Sequence, residues 1–225
     1  MAGAKKSLDN LELKTTEDIA IVLAWPDTKC KQAGAWYDNF MGKLSINQNG
    51  YYKVGHAAIV LIKKESGHCH YFDFGRYHSP VGYGRVRDME TDHDLTLNTR
   101  VYFNKEGVPQ NLEALLEELD GKVACHGDGD LHTGLSFIDF DKSYQKAKQM
   151  QEQDFIPYGP FVQNGTNCSR FVQSTVIAGM PLSFGKMLLK FPVMITPTPK
   201  WNVTLTKHKL IDVLGKSIEY ETETA

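Results

Sequence analysis

The stretch that most constrains this chain is Gly55–Lys63, where His56 opens the apolar run Ala57-Ala58-Ile59-Val60-Leu61-Ile62. A short continuous apolar run rich in β-branched residues predicts a strand buried on both faces, so the fold must cover both sides of its sheet. Lys64-Glu65-Ser66-Gly67 supplies a turn and Cys69–Gly75 a returning strand. A two-residue hairpin through Glu65-Ser66 or Ser66-Gly67 makes the two strands antiparallel neighbours. If Lys64 opposes Gly67, then Ala58 opposes Asp73 and His56 opposes Gly75. His56 and Asp73 then become diagonal neighbours on one face, within side-chain reach. A slip of one residue places His70 or Phe72 on that face instead.

That pairing has chemical content, because a carboxylate can accept an imidazole N–H and stabilise the imidazolium that forms on proton transfer. Asp73 is the expected orienter, with Tyr71 and His70 as alternatives for the third position. Each residue also has a plainer reading: a hydrogen-bonded core histidine for His56, an exposed edge-strand carboxylate for Asp73.

The second informative stretch is Asn164-Gly165-Thr166-Asn167-Cys168-Ser169-Arg170-Phe171-Val172. Polar residues lead into a thiol, and behind it Phe171, Val172, Thr175 and Val176 recur at helical spacing. The pattern delivers Cys168 to a helix N-terminus, where unpaired N–H groups and the helix dipole favour an anion and lower a thiol's pKa. Cys168 is the candidate nucleophile and His56 its candidate base. A small buried residue in a first helical turn is the plainer alternative.

Around these stretches the pattern is α+β. Ile19–Ala24 predicts a buried strand ended by Trp25-Pro26-Asp27, Lys31–Leu44 a helix, and Asp92–Phe103 a further strand with Leu95, Leu97, Val101 and Phe103 alternating. Leu112–Leu119 and Ser143–Gln153 predict amphipathic helices. Gly179-Met180-Pro181 predicts the stop of the Cys168 helix, with an extended, Pro-broken segment from about 181 onward. No repeat or linker divides the chain, so residues 1–225 are expected to form one domain.

With 225 residues, 41% of them hydrophobic, a sizeable core is available. A formal net charge of -2 gives no general attraction to nucleic acid or anionic membrane. The apolar run Ile19–Trp25 is too short to span a bilayer. The N-terminal residues lack the apolar h-region of a secretory signal, so the expected location is cytoplasmic. The four cysteines, Cys30, Cys69, Cys125 and Cys168, lack the paired spacing of a zinc site or disulfide framework. Asp128-x-Asp130 resembles the start of a calcium loop, but Asp139 stands where the bidentate Glu belongs. Neither a metal nor a cofactor is expected. A metal protein using His68, Cys69, His70 and the Cys125/His126 region is the minor alternative.

Ile156-Pro157-Tyr158-Gly159-Pro160 followed by Asn167-Cys168-Ser169-Arg170-Phe171-Val172 resembles the Tyr-Gly and Cys-Ser-x-x-Val signature of the NlpC-type, papain-like cysteine peptidases. Gly55-His56-Ala57-Ala58-Ile59-Val60 is similar to their His-bearing strand, and Tyr71-Phe72-Asp73 falls where that family has its third polar residue. The chain order is reversed, His56 before Cys168, as in the circularly permuted branch that includes YiiX-like proteins and lecithin:retinol acyltransferase. The resemblance covers about a third of the chain. It implies an antiparallel sheet packed against helices, a Cys168–His56–Asp73 triad, and Tyr158 and Asn167 on the oxyanion or substrate side. The implied reaction is cleavage of an amide bond in a small peptide or amide, through a thioacyl enzyme. Acyl transfer or thioester hydrolysis on an acyl substrate, and a catalytically silent binding module, remain open alternatives.

Overall fold

The computed structural model describes residues 17–31, 47–48, 51–53, 55–105, 107–125, 127–159, 162–180, 198–204 and 208–209. The strands are β1 (Asp18–Trp25), β2 (Lys29–Lys31), β3 (Asn47–Gln48), β4 (Tyr51–Lys53), β5 (His56–Ile62), β6 (Cys69–Gly75), β7 (Tyr83–Arg87), β8 (His132–Ile138), β9 (Ile156–Pro157) and β10 (His208–Lys209). The helices are α1 (Leu112–Asp120), α2 (Phe140–Gln151), α3 (Cys168–Gly179) and α4 (Pro199–Thr204). Seven strands form one sheet in the order β10-β8-β1-β5-β6-β7-β9, and β2-β4-β3 form a second. All the strand pairs described are antiparallel.

β5 lies between β1 and β6 and is buried along its whole length. Its register is the one the turn favours: Ala58 pairs with Asp73 and Val60 with Tyr71. Because side chains alternate across a strand, the sheet serves two cores. On one side Ala57, Ile59, Leu61, Phe72 and Phe74 pack with residues of α2 and α3. On the other, Ala58, Val60, Ile62 and Tyr71 pack with the Leu112, Leu115, Leu116 and Leu119 stripe of α1.

The expected strand over Asp92–Phe103 does not form; His93–Leu95 is a short 3-10 turn followed by irregular chain. Leu95 and Val101 are nevertheless buried. The Glu118 carboxylate accepts from the backbone N–H of Asn98 and of Thr99, each at 2.8 Å, and Gly67 O accepts from Val101 N at 2.9 Å. With its donors taken this way, the segment needs no neighbouring strand.

The position of α3 is set at both ends. Asn167 is extended at φ -143° and its side-chain oxygen accepts from Arg170 N at 2.9 Å, an N-cap that fixes Cys168 as the first helical residue. At the far end Gly179 lies so close to α2 that a Cβ there would meet the Ser143 hydroxyl and the Asp139 carbonyl. Between them Phe171, Val172 and Val176 are buried, each contributing about 1.5–3 kcal/mol by that burial. From α4, the Asn202 side-chain amide donates to Ser169 O at 2.8 Å and ties down the first turn. The helix expected over Lys31–Leu44 lies, apart from Lys31, outside the described residues, and so does most of the extended segment expected from about 181; within that segment Pro199–Thr204 is helical and not extended.

Candidate active site

β5 begins at His56, and the residue before it makes the entry possible. Gly55 has φ +74°, and a Cβ there would lie 2.9 Å from Trp25 O and 3.0 Å from Pro26 Cα. Only glycine combines that left-handed backbone with so close an approach. The next residue, His56, pairs across the ladder with Trp25, and the two rings stack at 5.9 Å with 19° between their planes.

His56 is 6% exposed and Asp73 0% exposed, so both are charged groups taken out of water and dependent on partners. His56 Nε2 lies 3.4 Å from Asp73 Oδ2. That is an ion-pair contact and not a well-aligned hydrogen bond, since Nε2 finds no partner by strict geometry. With Nε2 turned to Asp73, Nδ1 is the nitrogen left for the thiol. Cys168 lies within hydrogen-bonding reach of His56, and the Ala57 N–H and the Ser169 hydroxyl also approach its sulfur.

The electrostatics follow from those contacts. Burial pulls the His56 pKa down, but its close contacts with Asp73 and Cys168 and their charges outweigh it and raise it to about 9. Burial pushes the Cys168 thiol up, yet the His56 hydrogen bond and charge bring it below its ordinary value. Burial likewise works against the Asp73 carboxylate, and His56 and Arg87 together hold it below the usual range. Opposite charges a few ångströms apart can overcome desolvation in this way.

Arg87 did not figure in the sequence reading. It stands directly opposite Asp73 on β7 and donates from Nε to Oδ1 at 3.0 Å and from Nη2 to Oδ2 at 2.6 Å. Tyr71 and Tyr77 each donate a hydroxyl to Oδ2, at 3.1 and 3.3 Å. The Tyr77 ring also meets His56 edge-on at 6.5 Å. The signal for Arg87 was the same register rule applied one strand further, but the loop between Gly75 and Tyr83 conceals how β7 is aligned.

The remaining candidates separate. Tyr71 joins the carboxylate through its hydroxyl, whereas His70 points to the other face, against Phe140 and Tyr144, both at 5.4 Å. Asn167 uses its side-chain oxygen as the helix cap. The Tyr158 ring stacks on Phe74 at 5.8 Å, with the Arg76 guanidinium 5.2 Å from its centre. Of the Cys125–His132 stretch, Cys125 is buried at the end of a 3-10 turn and Gly127 packs on the Trp25 ring that stacks on His56. His126 lies outside the described residues. Among the described residues no group of three or more His, Cys, Asp or Glu side chains is placed to hold a metal ion, and no helix is long and apolar enough to cross a membrane.

The fold is shared with a solved structure: the crystal structure of the type VI secretion system effector TseH matches at a TM-score of 0.58 and 18% identity. That match covers 89% of this chain and 96% of the other. At such identity it speaks for the fold alone. Among curated proteins no relative matches. The sequence itself matches the family described as type VI secretion system effector TseH-like over residues 20–183, a span that includes His56, Asp73, Arg87, Tyr158 and Cys168. The chain belongs to the TseH-like family of type VI secretion system effectors.

Proposed function

We propose that this effector is a cysteine hydrolase that cleaves an amide bond through Cys168, His56 and Asp73, on a circularly permuted, NlpC-type papain-like fold forming one domain. What supports the reading is a buried thiol at a helix N-terminus within hydrogen-bonding reach of a buried imidazole that faces the Asp73 carboxylate, an arrangement that favours the ionised forms of both. A thiol and a histidine buried only for packing would both be driven toward their neutral forms.

In this mechanism Nδ1 of His56 holds the proton given up by Cys168, and Asp73 faces Nε2 and steadies the imidazolium. The thiolate attacks the amide carbonyl carbon. The developing oxyanion is met by the backbone N–H of Cys168, which has no partner within the helix because it lies in the first turn. Asn167 serves this site by fixing that turn, and Tyr158 flanks it. The C–N bond breaks as His56 passes its proton to the leaving amine. Water then attacks the thioester with His56 as base, releasing the acid and restoring the thiolate.

Membership of a secretion effector family supports a target outside the producing cell. A bacterial cell-wall peptide is the substrate favoured by the resemblance to the NlpC-type peptidases. A thiol activity probe tests the assignment. Labelling at Cys168 is expected, with loss in Cys168→Ala and strong weakening in His56→Ala; labelling that survives Cys168→Ala sinks it.

A further inference from the structure

We infer that Arg87 is a positioning residue of this site, clamping Asp73 by a two-point fork so that His56 and Cys168 are held as an imidazolium–thiolate pair. The inference rests on the triad reading above and adds a fourth member to it.

Arg87 is 3% exposed, so its guanidinium must find compensation inside the protein. It is immobilised from several sides. Its Nε and Nη2 take one carboxylate oxygen each, Nη2 also donates to Ala124 O at 3.0 Å, and the guanidinium carbon lies 3.4 Å from the centre of the Tyr77 ring. A planar fork gripping both oxygens fixes the carboxylate's rotation, which a single point charge does not. Oδ2 thereby stays where it meets His56 Nε2, with the Tyr71 and Tyr77 hydroxyls completing its surroundings.

The consequence is an alternation of charge: Arg87 positive, Asp73 negative, His56 positive, Cys168 negative. Each inner charge has an opposite charge on both sides. Removing the first member leaves the site with one excess negative charge, which favours adding a proton to Asp73 or Cys168. The groups that face this set are Tyr71 from β6, Tyr77 from the following loop, the Cys125 thiol from its 3-10 turn and, toward Arg87, the Asp92 carboxylate. None of these is a cation that can replace Arg87.

The test is the rate of iodoacetamide alkylation at Cys168, followed by mass spectrometry from pH 4 to 10 on the full chain, in Arg87→Met, Asp73→Asn, the double variant and His56→Ala. In Arg87→Met the acid limb is expected to move upward by about one pH unit, a loss of about tenfold in rate on that limb. At pH 10 the rates converge. The double variant is expected to match Asp73→Asn alone, because Arg87 acts through Asp73. A folded Arg87→Met protein with the unaltered limb overturns the inference, as does a double variant whose limb moves beyond that of Asp73→Asn. If Arg87→Met does not fold, the comparison of the double variant with Asp73→Asn decides, the buried carboxylate being absent from both. If His56→Ala alkylates as the unaltered protein does, the failure lies in the triad reading and not in Arg87.

Discussion

Two histidines on one hairpin meet opposite fates. His70, on β6, borders a cavity of about 490 Å³ walled by Phe72, Phe140 and Tyr144, and burial and the nearby His68 push its pKa below the ordinary value. His56, on β5, is more deeply buried and lines no part of that cavity, yet its pKa rises to about 9. Burial acts downward on both. The difference is the partner: His56 has Asp73 and Cys168, while His70 has aromatic edges and more distant carboxylates already joined to Lys148. The cavity beside His70 and the charge-paired histidine are therefore in different places, and charge pairing marks a candidate site better than volume does.

The sharpest way to break this comparison is to remove the partner. Asp73→Ala strands Arg87 in the interior and is expected to cost about 3–5 kcal/mol in urea unfolding, against less than about 1 kcal/mol for substituting the solvent-facing Glu113. His56→Ala comes next. A thiol of ordinary pKa, about 8.5, is only about 3% ionised at pH 7, and burial lowers that fraction further, so the alkylation rate of Cys168 should fall by about 30-fold or more.

A third prediction concerns pH. With Cys168 lowered and His56 raised to about 9, the proton of the folded pair sits on His56, while the unfolded chain carries one on Cys168 between the ordinary pKa values of about 6.5 and 8.5. Stability is then expected to be flat in that window. In Cys168→Ala the imidazole, still raised by Asp73, keeps a proton that the unfolded chain has lost. Stability present below pH 6.5 should therefore fall as pH rises toward the folded pKa, with a limiting slope of about 1.4 kcal/mol per pH unit. Parallel unfolding curves for the two proteins between pH 6 and 9 would contradict the shared proton.

The smallest effects belong to the other region. His70→Ala should change the alkylation rate of Cys168 by less than about twofold, because no opposite charge is lost. Cys69 and Cys125, pushed up by burial to about 12 and about 11, should alkylate more slowly than Cys168 in the unaltered protein.

Much of the site's backbone was legible in the sequence. The Lys64–Gly67 turn limits the register, the apolar run fixes which strand is central, and together they place Asp73 opposite Ala58. The polar run into Cys168 and the helical spacing behind it announced the helix start, whereas the capping role of Asn167, expected on the oxyanion or substrate side, emerged only from the structure. Arg87 was not legible, since its alignment depends on a loop in which His78 adopts φ +48° and Gly82 φ +83°, conformations that residue patterns do not encode. The Asp92–Phe103 strand was a misreading for a related reason. Alternation records which residues are buried, and here Glu118, from a helix later in the chain, supplies the hydrogen bonds that a neighbouring strand would have provided.

The Cys168 helix follows the hairpin by almost a hundred residues, and this has a consequence in time. As the chain is synthesised, β5 and β6 form a local hairpin that unites the imidazole and the carboxylate early, while the thiol has yet to emerge. Even when it does, an unplaced thiol is almost wholly protonated at neutral pH. Its acidity changes only when α3 docks, capped by Asn167, seated against α2 at Gly179 and tied at Ser169 by Asn202. Reactivity is thus acquired only when α3 is seated, so a half-folded chain carries every residue of the site and none of its chemistry.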